Sequence, residues 1–104
     1  MSSELRPSSL FTADVLRQFG WYVDKAGEDV AWRFEAAVEE TLRTIARQPD
    51  LGRLRHFENP RLAQLRSIPV TRPFNKRIIF YRAEGGTVEA WRLMHGARDL
   101  PRRL

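Results

Sequence analysis

The sequence predicts an α+β protein in which an antiparallel helical hairpin packs on a small antiparallel sheet. In the first half, apolar residues recur at three- and four-residue spacing, which is typical of helices with one buried face. In the last third, two runs of alternating polarity flank Glu84-Gly85-Gly86, a turn typical of β-hairpins. No linker-like stretch interrupts the 104 residues, so we expect a single domain, residues 1–104.

Helix boundaries are indicated by capping and breaking residues. Thr12 or Asp14 is expected to cap the first helix, because a side-chain oxygen there can accept a hydrogen bond from a free N–H of the first turn. Gly27 is expected to end this helix, and Glu28 begins a second, longer one that stops before Pro49. The apolar stripe expected on the first helix consists of Val15, Leu16, Phe19, Tyr22, Val23 and Ala26.

The strands are predicted at both ends of the chain. Residues 5–11 are expected to form a short strand, which Pro7 would confine to a sheet edge. After a loop that begins at Pro49, strands are predicted over residues 65–70, 76–83 and 87–94. One face of the final hairpin is expected to be apolar, and the other to carry aromatic and arginine side chains.

Charge is distributed unevenly along the chain. Residues 1–50 hold six Lys/Arg against nine Asp/Glu, a net of −3, whereas residues 51–104 hold twelve against four, a net of +8. An arginine-rich half favours an anionic partner, either nucleic acid or an acidic protein segment, and the alternative is a solvated basic surface. No cysteine is present, and the two histidines lack metal-ligand spacing, so no metal or cofactor is expected.

Several motifs occur in an order that resembles one family of bacterial toxins. They are Gln48-Pro-Asp-Leu-Gly-Arg53, Leu65-Arg-Ser-Ile-Pro-Val70, Arg77-Ile-Ile-Phe-Tyr-Arg82 and Leu93-Met-His-Gly-Ala-Arg-Asp-Leu100. From about residue 11 to residue 100, the chain resembles the RelE/ParE superfamily, the toxins of type II toxin–antitoxin systems. The resemblance implies a cognate antitoxin as partner, which contacts operator DNA on behalf of the complex. An exposed sheet edge could also accept a strand of that partner.

The resemblance implies two alternative activities. ParE-like members bind DNA gyrase, and we favour this branch because a complete set of nuclease residues is missing. RelE-like members cut mRNA on the ribosome. In that case Arg66 and Arg82 would clamp the phosphate, and Tyr81 or His95 would transfer the proton. A third possibility is a degenerate member that retains only antitoxin binding and promoter regulation.

Each candidate residue also has a structural alternative. Tyr81 could be a half-buried sheet residue, and His95 could end its strand bonded to a nearby carbonyl or carboxylate.

No apolar run is long enough to span a bilayer and no signal peptide is seen, so we expect a cytoplasmic protein. The side chains expected to contact a protein partner are Arg77, Arg82, Arg92, Arg98 and Trp32.

Overall fold

The computed structural model describes residues 2–96, in which two helices pack against one face of a five-stranded sheet. This arrangement confirms the predicted α+β class. In chain order the elements are β1 (Glu4–Pro7), α1 (Ser9–Ala26), α2 (Glu28–Arg47), β2 (Arg53–Leu54), a 3₁₀ turn (Pro60–Leu62), β3 (Arg66–Pro69), β4 (Arg77–Glu84) and β5 (Thr87–His95).

The joint between the helices lies where the sequence predicts it, but α1 begins earlier. Gly27 adopts a φ of 93°, a left-handed value that favours glycine, and it separates α1 from α2. The cap of α1 is Ser8, whose Oγ accepts a hydrogen bond from the Phe11 N–H at 3.0 Å. The prediction of Thr12 or Asp14 as the cap is therefore wrong. Both lie inside α1, because Ser8 directly after Pro7 already satisfies the first turn.

The strand order is β1-β5-β4-β3-β2. Strand β1 pairs in parallel with β5, from Glu4 opposite Thr87 to Pro7 opposite Ala90, while all the other pairs are antiparallel. The sheet is consequently mixed rather than wholly antiparallel, because the helical hairpin carries the chain from β1 across one face before the other strands form. The expected edge position of the first strand is confirmed.

Both faces of the sheet bury apolar side chains. Ile79 and Tyr81 of β4 belong to the core under the helices, whereas Phe80 belongs to a second cluster on the outer face. Residues 53–65 supply Leu62 and Leu65 to this second cluster, and Met94 comes from β5. The final hairpin therefore has two buried faces, not the single apolar face expected from its alternation.

The edge of β5 that β1 leaves uncovered is completed by side chains of α1 and its cap. Ser8 donates to the Trp91 carbonyl at 2.7 Å. Asp14 accepts from the Leu93 N–H at 2.9 Å, and Gln18 donates to the Leu93 carbonyl at 2.8 Å. These bonds satisfy buried backbone groups that a neighbouring strand would otherwise pair, and they fix α1 against the sheet.

A proline faces outward on β1, one edge of the sheet, and another on the part of β3 that β2 leaves unpaired. Alternate residues of a strand direct their backbone groups to opposite sides, and the hydrogen bond from the Val70 N–H to the Arg77 carbonyl assigns Pro69 to the free side of β3. The bond from the Ser8 N–H to the Ala90 carbonyl assigns Pro7 to the free side of β1 in the same way. Because proline has no N–H, the geometry disfavours addition of a partner strand beside Pro7 and beside Pro69.

Candidate partner-binding surface

Tyr81 and Arg66 hold the turn formed by residues 49–52. The Tyr81 hydroxyl accepts from the Gly52 N–H and donates to the Pro49 carbonyl, both at 2.8 Å. Arg66, directly opposite Tyr81 in the sheet, donates to the carbonyls of Asp50 at 3.2 Å and Gly52 at 2.9 Å. Burial raises the pKa of Tyr81, so its hydroxyl remains protonated near neutral pH and serves this turn.

The close approach of Tyr81 explains why position 52 of the turn is a glycine. A Cβ added there would lie 2.4 Å from the Tyr81 hydroxyl oxygen, well inside van der Waals contact. The Tyr81 ring is fully buried and has no room to withdraw. The motif Pro49-Asp-Leu-Gly52 thus has a local physical role, since it receives the end of a core tyrosine.

Arg82 lies on the outer face of the sheet. Its guanidinium donates to the carbonyls of Ala63, at 3.0 Å, and Arg61. Glu89 is the register partner of both Arg82 on β4 and Arg6 on β1, so the three residues form a cross-strand row of alternating charge. They line an open groove of about 360 Å³ together with Glu84 and Thr87. Two arginines and two glutamates make this groove a poor site for a polyanion.

Arg92 is committed to a buried ion pair. Its Nε and one terminal nitrogen donate to the two carboxylate oxygens of Asp14 at 2.7 and 3.0 Å. The side chain of Asp14 is 2% exposed and that of Arg92 17% exposed. Arg17, one turn along α1, adds a third cationic contact to Asp14 at 3.2 Å. The arginine therefore joins β5 to α1, a structural role that competes with partner binding.

Arg77 lies at the opposite end of the sheet from Arg82, next to two aromatic rings. The centre of its guanidinium is 5.3 Å from the Trp21 ring centroid and 5.4 Å from that of Tyr22. Its Nε also donates a long hydrogen bond, 3.4 Å, to the Tyr22 hydroxyl. His95 is its register partner across the hairpin. Arg77 is half-buried, and Trp21 is 44% exposed.

Trp32 lies on the helical hairpin, away from the arginines of the sheet. Its side chain is 60% exposed, and its ring meets the edge of Phe19 at a centroid distance of 4.9 Å. Leu16, one turn before Phe19 on α1, is 67% exposed and so does not belong to the buried stripe as expected. An exposed aromatic of this size suits a protein contact, and the role of Trp32 stays a prediction.

The candidates for RNA cleavage do not converge. Arg66 and Tyr81 meet at the 49–52 turn, whereas Arg82 reaches the loop carbonyls on the outer face. His95 lies opposite Arg77, five residues along β4 from Arg82, which corresponds to roughly 17 Å of strand. Groups that cleave one phosphodiester must lie within about 3 Å of the reacting atoms. These four residues therefore do not form one catalytic site, and Arg98 lies outside the described residues.

Three residues that matter for this surface were missed or undervalued by sequence reasoning. Asp14 and Gln18 lie at i and i+4 on the buried side of α1, with 2% and 5% exposure. A carboxylate and an amide on an otherwise apolar stripe are the signal that could have revealed them, since buried polar groups need partners. Trp21 lies over the Arg77 guanidinium at 5.3 Å, and this contact has no local signal in the sequence.

Residues 2–96 contain neither a metal-binding cluster nor a membrane-spanning helix. No cluster of three or more His, Cys, Asp or Glu side chains in this range could hold a metal ion. Neither helix in the same range combines the length and apolar character needed to cross a bilayer. Exposed aromatic side chains such as Trp21 and Trp32 are typical of protein contacts.

Residues 2–96 thus form a small α+β protein with exposed aromatic side chains on its helices and arginines along its sheet. A model of the family described as "ParE toxin of type II toxin-antitoxin system, parDE" matches residues 5–100, and the chain belongs to this family. A chain of a solved structure titled "Chromosomal ParDE TA system from P. aeruginosa" is 18% identical, with a TM-score of 0.73 over 90% of this chain and 96% of that one. The structural likeness establishes the shared fold. A search of curated proteins finds no match.

Proposed function

We propose that this ParE-family toxin inhibits growth by binding a protein target such as DNA gyrase, and that a cognate antitoxin neutralises it. Membership in the family supports the toxin–antitoxin assignment. Two observations support a non-enzymatic mechanism. Arg82 and His95 are far apart, and the Tyr81 hydroxyl is hydrogen-bonded to the 49–52 turn. A toxin without a convergent acid, base and phosphate clamp inhibits its target by contact.

The proposed partners agree with the charge of the chain. A net charge of +5 favours association with acidic protein surfaces through electrostatic attraction. We place the toxin in the cytoplasm, where both gyrase and a newly synthesised antitoxin would meet it. In the complex, contact with operator DNA would be made by the antitoxin.

The experiment that tests the mechanism is tightly controlled expression of the chain without its antitoxin. We expect arrested growth, cell filamentation and a DNA-damage response, and we expect the purified chain to inhibit supercoiling by gyrase. RNA 5′ ends should be unchanged by induction. In-frame cuts in ribosome-bound mRNA would instead identify a nuclease, and an absence of any growth effect would identify a degenerate member.

The neutralisation is tested in the same strain. Co-expression of the antitoxin should restore growth and yield a complex that co-purifies with the toxin. A matched control is co-expression of an antitoxin from an unrelated toxin–antitoxin system, which should not restore growth. If growth recovers equally with both proteins, the rescue is not specific and the proposed partner is wrong.

A further inference from the structure

Arg77 differs from the other arginines expected to bind a partner in what its guanidinium contacts. Within residues 2–96, Arg82 donates to loop carbonyls, and Arg92 pairs with Asp14. The one side-chain hydrogen bond that Arg77 makes in this range uses Nε and is long, at 3.4 Å. Its two terminal nitrogens make no hydrogen bond in this part of the chain. Four N–H donors on these nitrogens are therefore available to an anionic ligand.

The guanidinium of Arg77 is also pre-oriented. It lies within 5.4 Å of the centroids of two rings, Trp21 and Tyr22, so that stacking restricts its rotamers before any ligand arrives. Tyr22 is itself packed against Phe34 and Phe74 in the core, with centroid distances of 4.7 and 5.4 Å. A cation held in this way loses less side-chain entropy on binding than a free arginine does.

The surroundings of Arg77 carry an excess of positive charge. Lys76 precedes it and is exposed. Arg72 is also exposed, and it lies on the same loop as Phe74, whose ring packs against Tyr22. On α1, Lys25 lies one turn beyond Trp21, and the acids close to it in sequence are Asp24, Glu28 and Asp29. Neither Asp24 nor any other carboxylate in the described range forms an ion pair with Arg77. The local potential therefore favours a carboxylate from outside the chain.

We propose that Arg77 and Trp21 together anchor an acidic segment of the antitoxin. The open edge of the guanidinium would accept one carboxylate in bidentate geometry, and an apolar side chain beside that acid would cover the exposed part of the Trp21 ring. This inference rests on the proposed function, because it assumes that the partner is an antitoxin. Trp21 acts as a positioning residue in the anchor, while Arg77 makes the ionic contact.

The anchor is tested by the affinity of the full chain for the purified antitoxin, measured by titration calorimetry. Arg77→Gln should weaken binding by at least about tenfold, since a charge-assisted hydrogen bond is worth roughly 1.5–3 kcal/mol. Arg77→Lys keeps the charge but loses the paired N–H donors of the guanidinium, so it should weaken binding less than Arg77→Gln does. Arg33→Gln removes the same charge from an exposed position on α2 and should change the affinity less than about twofold.

A double-mutant cycle separates direct contact from altered folding. Each acidic residue of the antitoxin is changed to its amide and tested against the wild-type chain and Arg77→Gln. We expect one position whose substitution weakens binding to the wild-type chain but has no further effect on Arg77→Gln. Trp21→Ala should reduce the coupling at that same position, because it removes the ring that orients the guanidinium.

Two outcomes overturn the inference in different ways. If Arg77→Gln and Arg33→Gln bind the antitoxin equally well, or if no antitoxin acid couples to Arg77, the anchor is wrong while the toxin–antitoxin pairing stands. If the wild-type chain does not bind the antitoxin, the proposed partner fails and the anchor fails with it. Should Arg77→Gln lower the melting temperature, the same double-mutant cycle with Arg77→Lys decides the question.

Discussion

Asp14 and Arg92 form a two-pronged ion pair that joins the first helix to the last strand across 78 positions of sequence. The same carboxylate accepts the Leu93 N–H at 2.9 Å, so it also completes the uncovered edge of β5. One side chain thus satisfies a buried cation and a buried backbone donor. This relationship places α1, and with it the aromatic pair that orients Arg77, at a defined position on the sheet.

Asp14→Ala should lower the free energy of unfolding by about 3–5 kcal/mol, because it leaves Arg92 and the Leu93 N–H without their acceptor in a poorly hydrated site. Urea unfolding followed by circular dichroism measures the change. The control is Asp24→Ala, an exposed acid on the same helix, which should cost less than about 0.5 kcal/mol. Equal effects of the two substitutions would show that the pair does not secure α1.

Tyr81→Phe removes the hydroxyl from the 49–52 turn while keeping the buried ring. The Gly52 N–H and Pro49 carbonyl lose their partner, so we expect the free energy of unfolding to fall by about 1–3 kcal/mol. Tyr22→Phe, which loses only the long bond from Arg77, should cost less than about 0.5 kcal/mol. If Tyr81→Phe is as stable as wild type in urea, the hydroxyl does not support the turn.

The pH dependence of stability should also report on Tyr81. Burial raises its pKa in the fold above the ordinary 10.0, so the unfolded chain releases the phenolic proton first. The stability that this group contributes is complete below pH 10.0 and is lost as the pH rises through the folded-state pKa. Urea unfolding at about pH 8 and about pH 11 should show a smaller loss in Tyr81→Phe than in wild type. An identical loss in both proteins would contradict the assignment.

Replacing Gly52 or Gly20 by alanine should change the stability of the protein in opposite directions. Gly52→Ala brings a methyl group to 2.4 Å from the Tyr81 oxygen, so we expect a loss of roughly 1–3 kcal/mol. Gly20 lies in α1 with nothing within 4 Å of an added Cβ, and Gly20→Ala should stabilise the protein by about 0.5–1 kcal/mol. Thermal melts of the two variants measure the pair. Stabilisation by Gly52→Ala would mean that the turn is not packed against Tyr81.

The elements were predictable because their signals are local. The joint at Gly27 needs only a residue that tolerates a φ of 93°, and the final hairpin needs only alternation around Gly85. The parallel pairing of β1 with β5 and the contact of Asp14 with Arg92 depend on segments far apart in sequence. Periodicity does not encode which distant segment a residue will meet, so these features emerged only in three dimensions.

The candidate surface was predictable in composition but not in arrangement. The arginine-rich half indicated an anionic partner, and Arg77 was among the side chains expected to contact one. Sequence could not distinguish it from Arg82 or Arg92, because the three have the same chemistry. What separates them is whether carbonyls, a carboxylate or aromatic rings lie nearby, and those neighbours come from other elements of the fold.

The separation of Arg82 from His95 predicts that neither is needed for chemistry. Arg82→Gln and His95→Gln should each still arrest growth when expressed without the antitoxin, at protein levels matched by immunoblot. Arg82 bonds exposed carbonyls, so its loss should cost less than about 1 kcal/mol and leave the fold intact. The informative control is Asp14→Ala, which should weaken the arrest because it lowers the stability of the fold. If a stably folded Arg82→Gln or His95→Gln is harmless while gyrase inhibition by the wild-type chain is absent, the nuclease mechanism regains its support.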